Sequence, residues 1–235
     1  MSHLTLSSRL ASNGVNKIVR ILIYSDFLLI SAFGFLSPIF AIFLTDQLVG
    51  GSIQVAGFAT TAYWLVKSIV QIPAARYIDS RRGERDDFWL LIAGSTLMSV
   101  IPFLYLLARV PWHIYVLQAV LGIGAAIAFP GWFAIFTRHM DKFKEGFEWS
   151  LHSVAIGLGI SGTAALGGVL ADLFGFATVF ILVGLASTLG TVVLFLIRNE
   201  ILHSDRTSTM WQEWDKLNGK KKLMDKPGPA APPAL

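Results

Sequence analysis

The stretch GGVLADLFGF, residues 167–176, holds an aspartate between two apolar segments. A second stretch, AARYIDSRRGE at residues 74–84, shows the same order of small residue, aspartate and glycine. Each of them lies at the end of a long apolar run. One pattern at the ends of two separate runs indicates an internal repeat, so the number and arrangement of these runs decide the fold.

The composition and the apolar runs predict an integral membrane protein. Of 235 residues, 54% are hydrophobic and only 14% are charged, which leaves too few charges to wet a soluble surface. Several runs reach or exceed the roughly 20 residues that a helix needs to cross about 30 Å of hydrocarbon. They cover residues 18–44, 53–75, 88–108, 112–136, 151–171 and 177–197. Because unpaired backbone groups are costly in lipid, we expect an all-α fold with these six runs as spans 1 to 6.

The basic residues predict how the spans are oriented. Nearly all of the 19 lysines and arginines fall before span 1, between spans 2 and 3, between spans 4 and 5, or after span 6. Basic loops stay in the cytoplasm, so we expect both termini on the cytoplasmic side of the cell or inner membrane. The chain then divides into a cytoplasmic segment at residues 1–17, a membrane domain at 18–198, and a cytoplasmic tail at 199–235 with an amphipathic helix and a proline-rich end.

The two copies of the opening pattern fall at equivalent places in this arrangement. Residues 74–84 lie at the inner end of span 2, and residues 167–176 lie at the outer end of span 5. These are the middle spans of two three-span units with opposite orientation. The sequence therefore predicts a 3+3 inverted repeat, which is typical of secondary transporters.

The sequence argues against several other functions. It has no cysteine, which excludes disulfides and thiol chemistry, and it lacks HExxH, GxSxG and phosphate-loop patterns. We therefore expect no enzymatic activity, no cofactor and no metal site. The net charge of +4 is accounted for by the basic cytoplasmic loops, so we expect no nucleic-acid partner.

Short motifs in three places carry a resemblance to a known family. The loop after span 2, residues 75–85, reads ARYIDSRRGER and contains Asp79, and span 4 contains QAVLG at residues 118–122. Span 5 adds glycines at the spacing seen in the family's antiporters. At these places the sequence resembles the major facilitator superfamily, whose corresponding loop reads approximately G-x-L-A-D-R-x-G-R-R. The resemblance extends over residues 18–198 and covers one six-span half of the usual twelve-span transporter.

The resemblance implies a transporter of small solutes that works by alternating access. A six-span half has a cavity without an opposing wall, and two copies would supply that wall to each other as a parallel homodimer that meets through spans 2 and 5. The resemblance also implies that Gln118 lines the cavity and that Asp79, Arg82 and Arg85 gate its inner side. The expected partners are a small-molecule substrate, membrane lipid and a second copy. Two alternatives stay open: a non-transporting membrane scaffold or subunit, and one half of a heterodimeric transporter.

Span 5 carries small residues at every fourth position, a stripe that lets two helices approach closely in lipid. We name it the 155–171 stripe, and it consists of Ala155, Gly159, Thr163, Gly167 and Ala171. One interpretation makes it the dimer interface. The other packs it against a helix of the same chain.

Two charges inside the apolar runs mark a candidate site, since each costs on the order of 2.5–3.5 kcal/mol in the membrane. Asp26 in span 1 and Lys67 in span 2 both lie about 12–14 Å from the inner surface, so their depth allows them to pair. In one interpretation they bind substrate or protons in the cavity. In the other they form a buried structural ion pair.

A polar track extends this candidate site toward the inner surface. Gln71 follows Lys67 by one helical turn, and Glu148 and His152 are four residues apart at the start of span 5. A histidine titrates near neutral pH and can relay protons, which makes the group a candidate substrate-binding or proton-binding set. The alternative for His152 is a hydrogen bond to Glu148 without a role in transport.

Overall fold

The computed structural model describes residues 14–80 and 83–202, and this part of the chain is helical without any β-strand. Six α-helices and one short 3₁₀ helix follow one another. Their bounds are α1 Lys17–Gly34, α2 Phe40–Gln47, α3 Ile53–Ser80, α4 Arg85–Tyr105, α5 Pro111–His139, α6 Glu145–Val193 and the 3₁₀ helix Leu194–Ile197. The expected all-α fold is confirmed over these residues. Arg82 and the predicted tail helix lie outside them.

Span 1 is divided into α1 and α2 at residues 35–39. The amide groups of Phe35, Leu36 and Ser37 donate to carbonyl oxygens three residues earlier, as in a tight 3₁₀ turn. Pro38 follows, and it has no N–H with which to continue an α-helical ladder. The sequence pattern showed one apolar run here, whereas the backbone forms two helices.

Spans 5 and 6 meet at a single residue, Gly175, inside α6. Its φ of 79° and ψ of 164° are not helical, and they separate a first arm at residues 145–174 from a second arm at 176–193. This backbone region is essentially restricted to glycine. A Cβ added there would meet nothing within 4 Å, so conformation and not crowding requires glycine at this position.

The two copies of the opening pattern share this backbone device. Gly83, near the end of the first copy, has a φ of 139°, and Gly175 in the second copy has a φ of 79°. In each copy a helix ends near an aspartate, and a glycine with positive φ then redirects the chain. The pattern is thus a helix-ending signal that occurs at two turns of the fold.

Three helices in the described chain are long and apolar enough to cross a membrane by length and composition. They are α4 at Arg85–Tyr105, α5 at Pro111–His139 and a continuous helical stretch at Glu145–Leu202. This last stretch comprises α6 with its kink at Gly175, the 3₁₀ helix and residues 198–202. The structure therefore supports an integral membrane protein, and the count of six spans stays a prediction.

Glycines allow close helix contacts throughout the bundle. A Cβ added at Gly122 of α5 would lie 2.6 Å from the carbonyl oxygen of Tyr63 in α3, and one at Gly190 would lie 2.8 Å from that of Ser25 in α1. A Cβ at Gly94 of α4 would overlap the backbone of α5. The helices pack most closely as α1 with α6, α4 with α5, α3 with α5, and α4 with α6.

Two clusters of buried apolar side chains hold the bundle at its two ends. One includes Phe88 and Phe136 and lies at the end that carries residues 76–80, 83–87 and 137–148, which we name the basic end. The other includes Tyr105 and Phe180 and lies at the opposite end. Ser25, Asp26 and Ser95 fall between the two clusters along the helices. The fold thus leaves a polar layer at mid-height, where the candidate site lies.

Candidate functional site

A cavity of about 100 Å³ lies in the polar layer between the two apolar clusters. Side chains from α1, α3, α4 and α5 line it, and they include Ser25, Asp26, Lys67, Ser95, Phe129 and Trp132. Both charged residues that the sequence singled out therefore line one cavity. The first arm of α6 adds His152 next to this cavity, where its imidazole contacts Asp26.

Asp26 and His152 form the closest polar contact of the site. The His152 Nε2 lies 2.6 Å from the Asp26 Oδ2 and joins α1 to the first arm of α6. Their side chains are 22% and 15% exposed, respectively, so the contact is shielded from bulk solvent. A bond of this length to a carboxylate is charge-assisted when the imidazole is protonated.

Aromatic rings enclose the histidine. The ring centroid of His152 lies 4.7 Å from that of Trp132, 5.8 Å from that of Phe136 and 5.9 Å from that of Trp149. These rings restrict water around the imidazole and fix its orientation toward Asp26. The arrangement can hold one proton between two titratable groups, which is the chemistry of a proton-binding site.

The structure gives Asp26 and His152 partners that differ from the expected ones. The predicted ion pair between Asp26 and Lys67 is wrong. Asp26 contacts His152, and no described carboxylate lies within 4.0 Å of the Lys67 Nζ. His152 in turn contacts Asp26 in place of Glu148. The fully buried Glu148 accepts a hydrogen bond from the Asp141 amide at 3.3 Å, in the turn before α6. Helical spacing predicts how deep each residue lies along its helix, but the direction of its side chain around the helix decides which residue it contacts.

Lys67 lies among aromatic rings. Its Nζ is 4.8 Å from the ring centroid of Trp64, 5.7 Å from that of Phe129 and 5.8 Å from that of Tyr63. These are cation–π distances, which attract an ammonium group without neutralising its charge. The cation remains available to a ligand on the cavity side of α3.

The remaining predicted site residues lie elsewhere. Gln71 lines a second cavity of about 380 Å³ toward the basic end, together with Asp79 and Arg138. Gln118 is buried in α5 and does not line the mid-height cavity as the resemblance implied. Arg85 is exposed at the start of α4, whereas Asp79 borders the second cavity.

The basic end also contains an ion-pair cluster that sequence reasoning missed. Arg138, in the last turn of α5, contacts the buried Asp87 in the first turn of α4 and lies 3.9 Å from Glu84. His139 Nε2 lies 3.6 Å from the same Glu84. A signal was present, since opposite charges at the ends of two adjacent spans on the same side are positioned to meet.

The 155–171 stripe packs against α1 of the same chain. Thr163 donates from its hydroxyl to the Ser31 carbonyl oxygen at 2.7 Å. A Cβ added at Gly159 would overlap the Ser31 side chain, and one at Gly167 would overlap the Phe35 backbone. The stripe is therefore occupied within one copy, as the second interpretation of the sequence had it, and it is not available to a second copy.

These features define the class of the protein as a helical integral membrane protein with an ionisable site at mid-height. Residues 22–226 match the family model of the Major Facilitator Superfamily, and the chain belongs to that family. This confirms the family to which the sequence was likened. A search of curated proteins found no match.

A solved structure adds support for the fold. The protein is similar to the chain in "In meso crystal structure of the POT family transporter PepTSo", with a TM-score of 0.64 and 14% sequence identity. The match covers 78% of this chain and 38% of that chain. At this identity the likeness shows the fold alone, and this chain corresponds to well under half of the other.

Proposed function

We propose that the protein transports a small solute across a membrane by alternating access, as a homodimer of six-span halves. The observation that carries this proposal is the mid-height cavity with its Asp26–His152 contact. Its volume of about 100 Å³ is small beside the roughly 300–1,000 Å³ of typical ligand pockets. A second copy facing the cavity would enlarge it and supply the missing wall.

The helix contacts support the 3+3 inverted repeat in this proposal. In such a repeat span 1 corresponds to span 4, span 2 to span 5 and span 3 to span 6. Span 1 contacts span 5 at Gly159, and span 4 contacts span 2 at Gly122. Likewise span 3 contacts span 4 at Gly94, and span 6 contacts span 1 at Gly190. Each close contact therefore has a counterpart when the two units are exchanged.

A second row of small residues supports the dimer. We name it the 153–165 stripe, and it consists of Ser153, Gly157, Ser161 and Ala165, which are all exposed on the first arm of α6. A Cβ added at Gly157 would meet nothing within 4 Å, and the same holds for Gly57 on α3. The family resemblance pairs spans 2 and 5 across the halves, so we assign the dimer interface to α3 and this stripe.

We further propose that the Asp26–His152 contact couples transport to protons. With both groups charged, it ties α1 to the first arm of α6, and protonation of Asp26 removes the attraction. Loss of that attraction allows the two helices to move apart during gating. Asp79, Arg82 and Arg85 are assigned to the inner gate at the basic end, where Asp79 borders the larger cavity.

Proteoliposomes loaded with a pH-sensitive dye test both parts of the proposal. For a panel of small solutes, we expect at least one to change the internal pH with the wild-type chain and not with Asp26→Asn. Asp46→Asn, at an exposed site of α2, is the matched control and retains the response. Solute uptake by Asp26→Asn with unchanged pH dependence would refute proton coupling. Absence of uptake of any solute favours the scaffold.

The oligomeric state and the orientation are tested separately. Native mass spectrometry distinguishes a homodimer from a single copy, and a need for a second polypeptide would favour the heterodimer. Because the chain has no cysteine, single cysteines report sidedness without background. With an impermeant maleimide, we expect Lys142→Cys to react from the cytoplasmic side and Gly50→Cys from the opposite side. The reverse labelling would overturn the orientation.

A further inference from the structure

We propose that the solute is a small organic anion whose carboxylate binds Lys67. This inference names the substrate class of the mid-height cavity and rests on the proposed transport function. It is carried by hydrogen-bond donors that have no acceptor in the described part of the protein, together with their position on the cavity wall.

Lys67 is the first of these donors. Its ammonium group has three N–H bonds, and no described oxygen lies within hydrogen-bond distance of it. Its neighbours are the rings of Tyr63, Trp64 and Phe129. The rings hold the side chain in place and attract its charge, but they accept none of its N–H bonds in the way an oxygen does.

Trp132 is the second hydrogen-bond donor without an acceptor. Its indole N–H is buried, has no acceptor among the described residues, and belongs to a side chain on the wall of the same cavity. Indole is a donor only, so the group it lacks is an acceptor. A carboxylate offers several acceptor positions, and its negative charge also complements the ammonium group.

The Asp26 carboxylate, which also lines the cavity, is not the acceptor for the Lys67 ammonium group. Asp26 contacts His152 at 2.6 Å on the side formed by α1 and α6, and it lies beyond 4.0 Å from the Lys67 Nζ. Its partner is therefore fixed within the protein. An incoming anion would meet Lys67 between α3 and α5, where Trp64 and Phe129 are 56% and 46% exposed.

The same contacts argue against an organic cation at Lys67. Aromatic rings are the usual platform for a quaternary ammonium group, but the Lys67 ammonium group already lies over three rings here. A second cation at these rings would be repelled by the first, so the surroundings of Lys67 favour an anion.

Thermal unfolding of the purified full-length chain in detergent tests the inference. The probes are benzoate and succinate as anions, tetraethylammonium as a cation and glucose as a neutral solute. We expect an anion to raise the melting temperature of the wild type by roughly 3–6 °C at about ten times its Kd. Lys67→Gln should lose this rise and Lys67→Arg should keep part of it. Lys142→Gln removes an exposed lysine outside the cavity and should respond as the wild type does.

The inference is overturned if Lys67→Gln responds to the anions as the wild type does. It is also overturned if the wild type responds only to tetraethylammonium or glucose, or to none of the probes. Native mass spectrometry of the same samples reports the dimer independently. Anion binding that depends on Lys67 in a single copy would keep this inference and refute the proposed dimer, so the two failures are distinguishable.

Discussion

The first arm of α6 presents two rows of small residues that differ in what they contact. The 155–171 stripe lies against α1, and side chains added at Gly159 or Gly167 would overlap that helix. The 153–165 stripe lies on the other side, and an added Cβ at Gly157 meets nothing. The residues are alike in size and spacing. The comparison teaches that such spacing indicates a close helix contact but does not say whether the partner is in the same chain.

Polar contacts distinguish the two faces further. The covered face makes two hydrogen-bond contacts to α1. The Thr163 hydroxyl donates to the Ser31 carbonyl oxygen, and the His152 imidazole contacts the Asp26 carboxylate. The serines of the exposed face make no bond to another helix: Ser161 donates to the carbonyl oxygen of Gly157 in its own helix. The covered face thus makes polar contacts to α1, whereas Ser161 of the exposed face bonds within its own helix.

The largest expected effect comes from filling the covered face. Gly167→Val places a side chain against the backbone of Phe35, which cannot move aside as a side chain could. We expect a loss of about 3 kcal/mol in the free energy of unfolding and little folded protein. Gly168→Val is the matched control, since a Cβ there meets nothing within 4 Å. Yield and melting temperature in detergent measure both variants. Equal losses would refute the assigned faces.

Removal of the contact between His152 and Asp26 should have the second-largest effect on stability. His152→Phe keeps a ring among Trp132, Phe136 and Trp149 but leaves Asp26 without its partner. We expect a loss of about 2 kcal/mol in the free energy of unfolding. The double variant with Asp26→Asn should recover part of it, because the unpaired charge is removed. A double-mutant cycle from chemical unfolding measures this coupling, and additive losses would contradict it.

The exposed face should affect assembly and leave the protomer intact. Gly157→Leu adds a side chain where one copy has open space, so we expect an unchanged melting temperature for the protomer. In the dimer it would separate the helices and weaken association at least tenfold, or about 1.4 kcal/mol. Gly146→Leu, also in open space at the start of α6, serves as control. Sedimentation at several protein concentrations distinguishes them, and unaltered association of Gly157→Leu would move the interface elsewhere.

The smallest effect is expected from the single hydroxyl of the covered face. Thr163→Val retains the shape of the side chain and deletes its bond to the Ser31 carbonyl oxygen. Hydrogen bonds between membrane helices contribute about 0.6 kcal/mol on average, and we expect a loss of that size. Ser161→Ala on the exposed face should change stability less. Chemical unfolding in mixed micelles resolves the difference, and a larger loss for Ser161→Ala would reverse the assignment of the faces.

Much of the fold could be predicted from the sequence because lipid imposes length and composition on each helix. The apolar runs identified the helical segments and the resemblance identified the family, which the match over residues 22–226 confirms. Pro38 indicates a bend in span 1, but the complete break into two helices was not predicted, because the apolar run continues through it. The one-residue connection between spans 5 and 6 was not predicted either. Nothing in the sequence around Gly175 distinguishes such a connection from a short loop.

The two charged residues of the cavity were predictable from the sequence, but their partners were not. Asp26 and Lys67 stand out as charges in apolar runs, and both line the mid-height cavity. Depth along a helix follows from counting residues, whereas the direction of a side chain around the helix depends on how the bundle packs. That direction brings His152 to Asp26 and surrounds Lys67 with aromatic rings. The contact between Arg138 and Asp87 was missed although the ends of their spans carry opposite charges, because the exact partners are decided only when the bundle is assembled.

The joint at Gly175 has a mechanical consequence. A loop of several residues can change its conformation when one helix moves, so the next helix need not move with it. A joint of one residue has few dihedral angles to change, so a displacement of the first arm is transmitted to the second arm. His152 of the first arm contacts Asp26, and the Ser25 hydroxyl donates to the Gly190 carbonyl oxygen of the second arm. Under the proposed proton coupling, protonation of Asp26 on α1 would therefore act on a helix that is bonded to both arms.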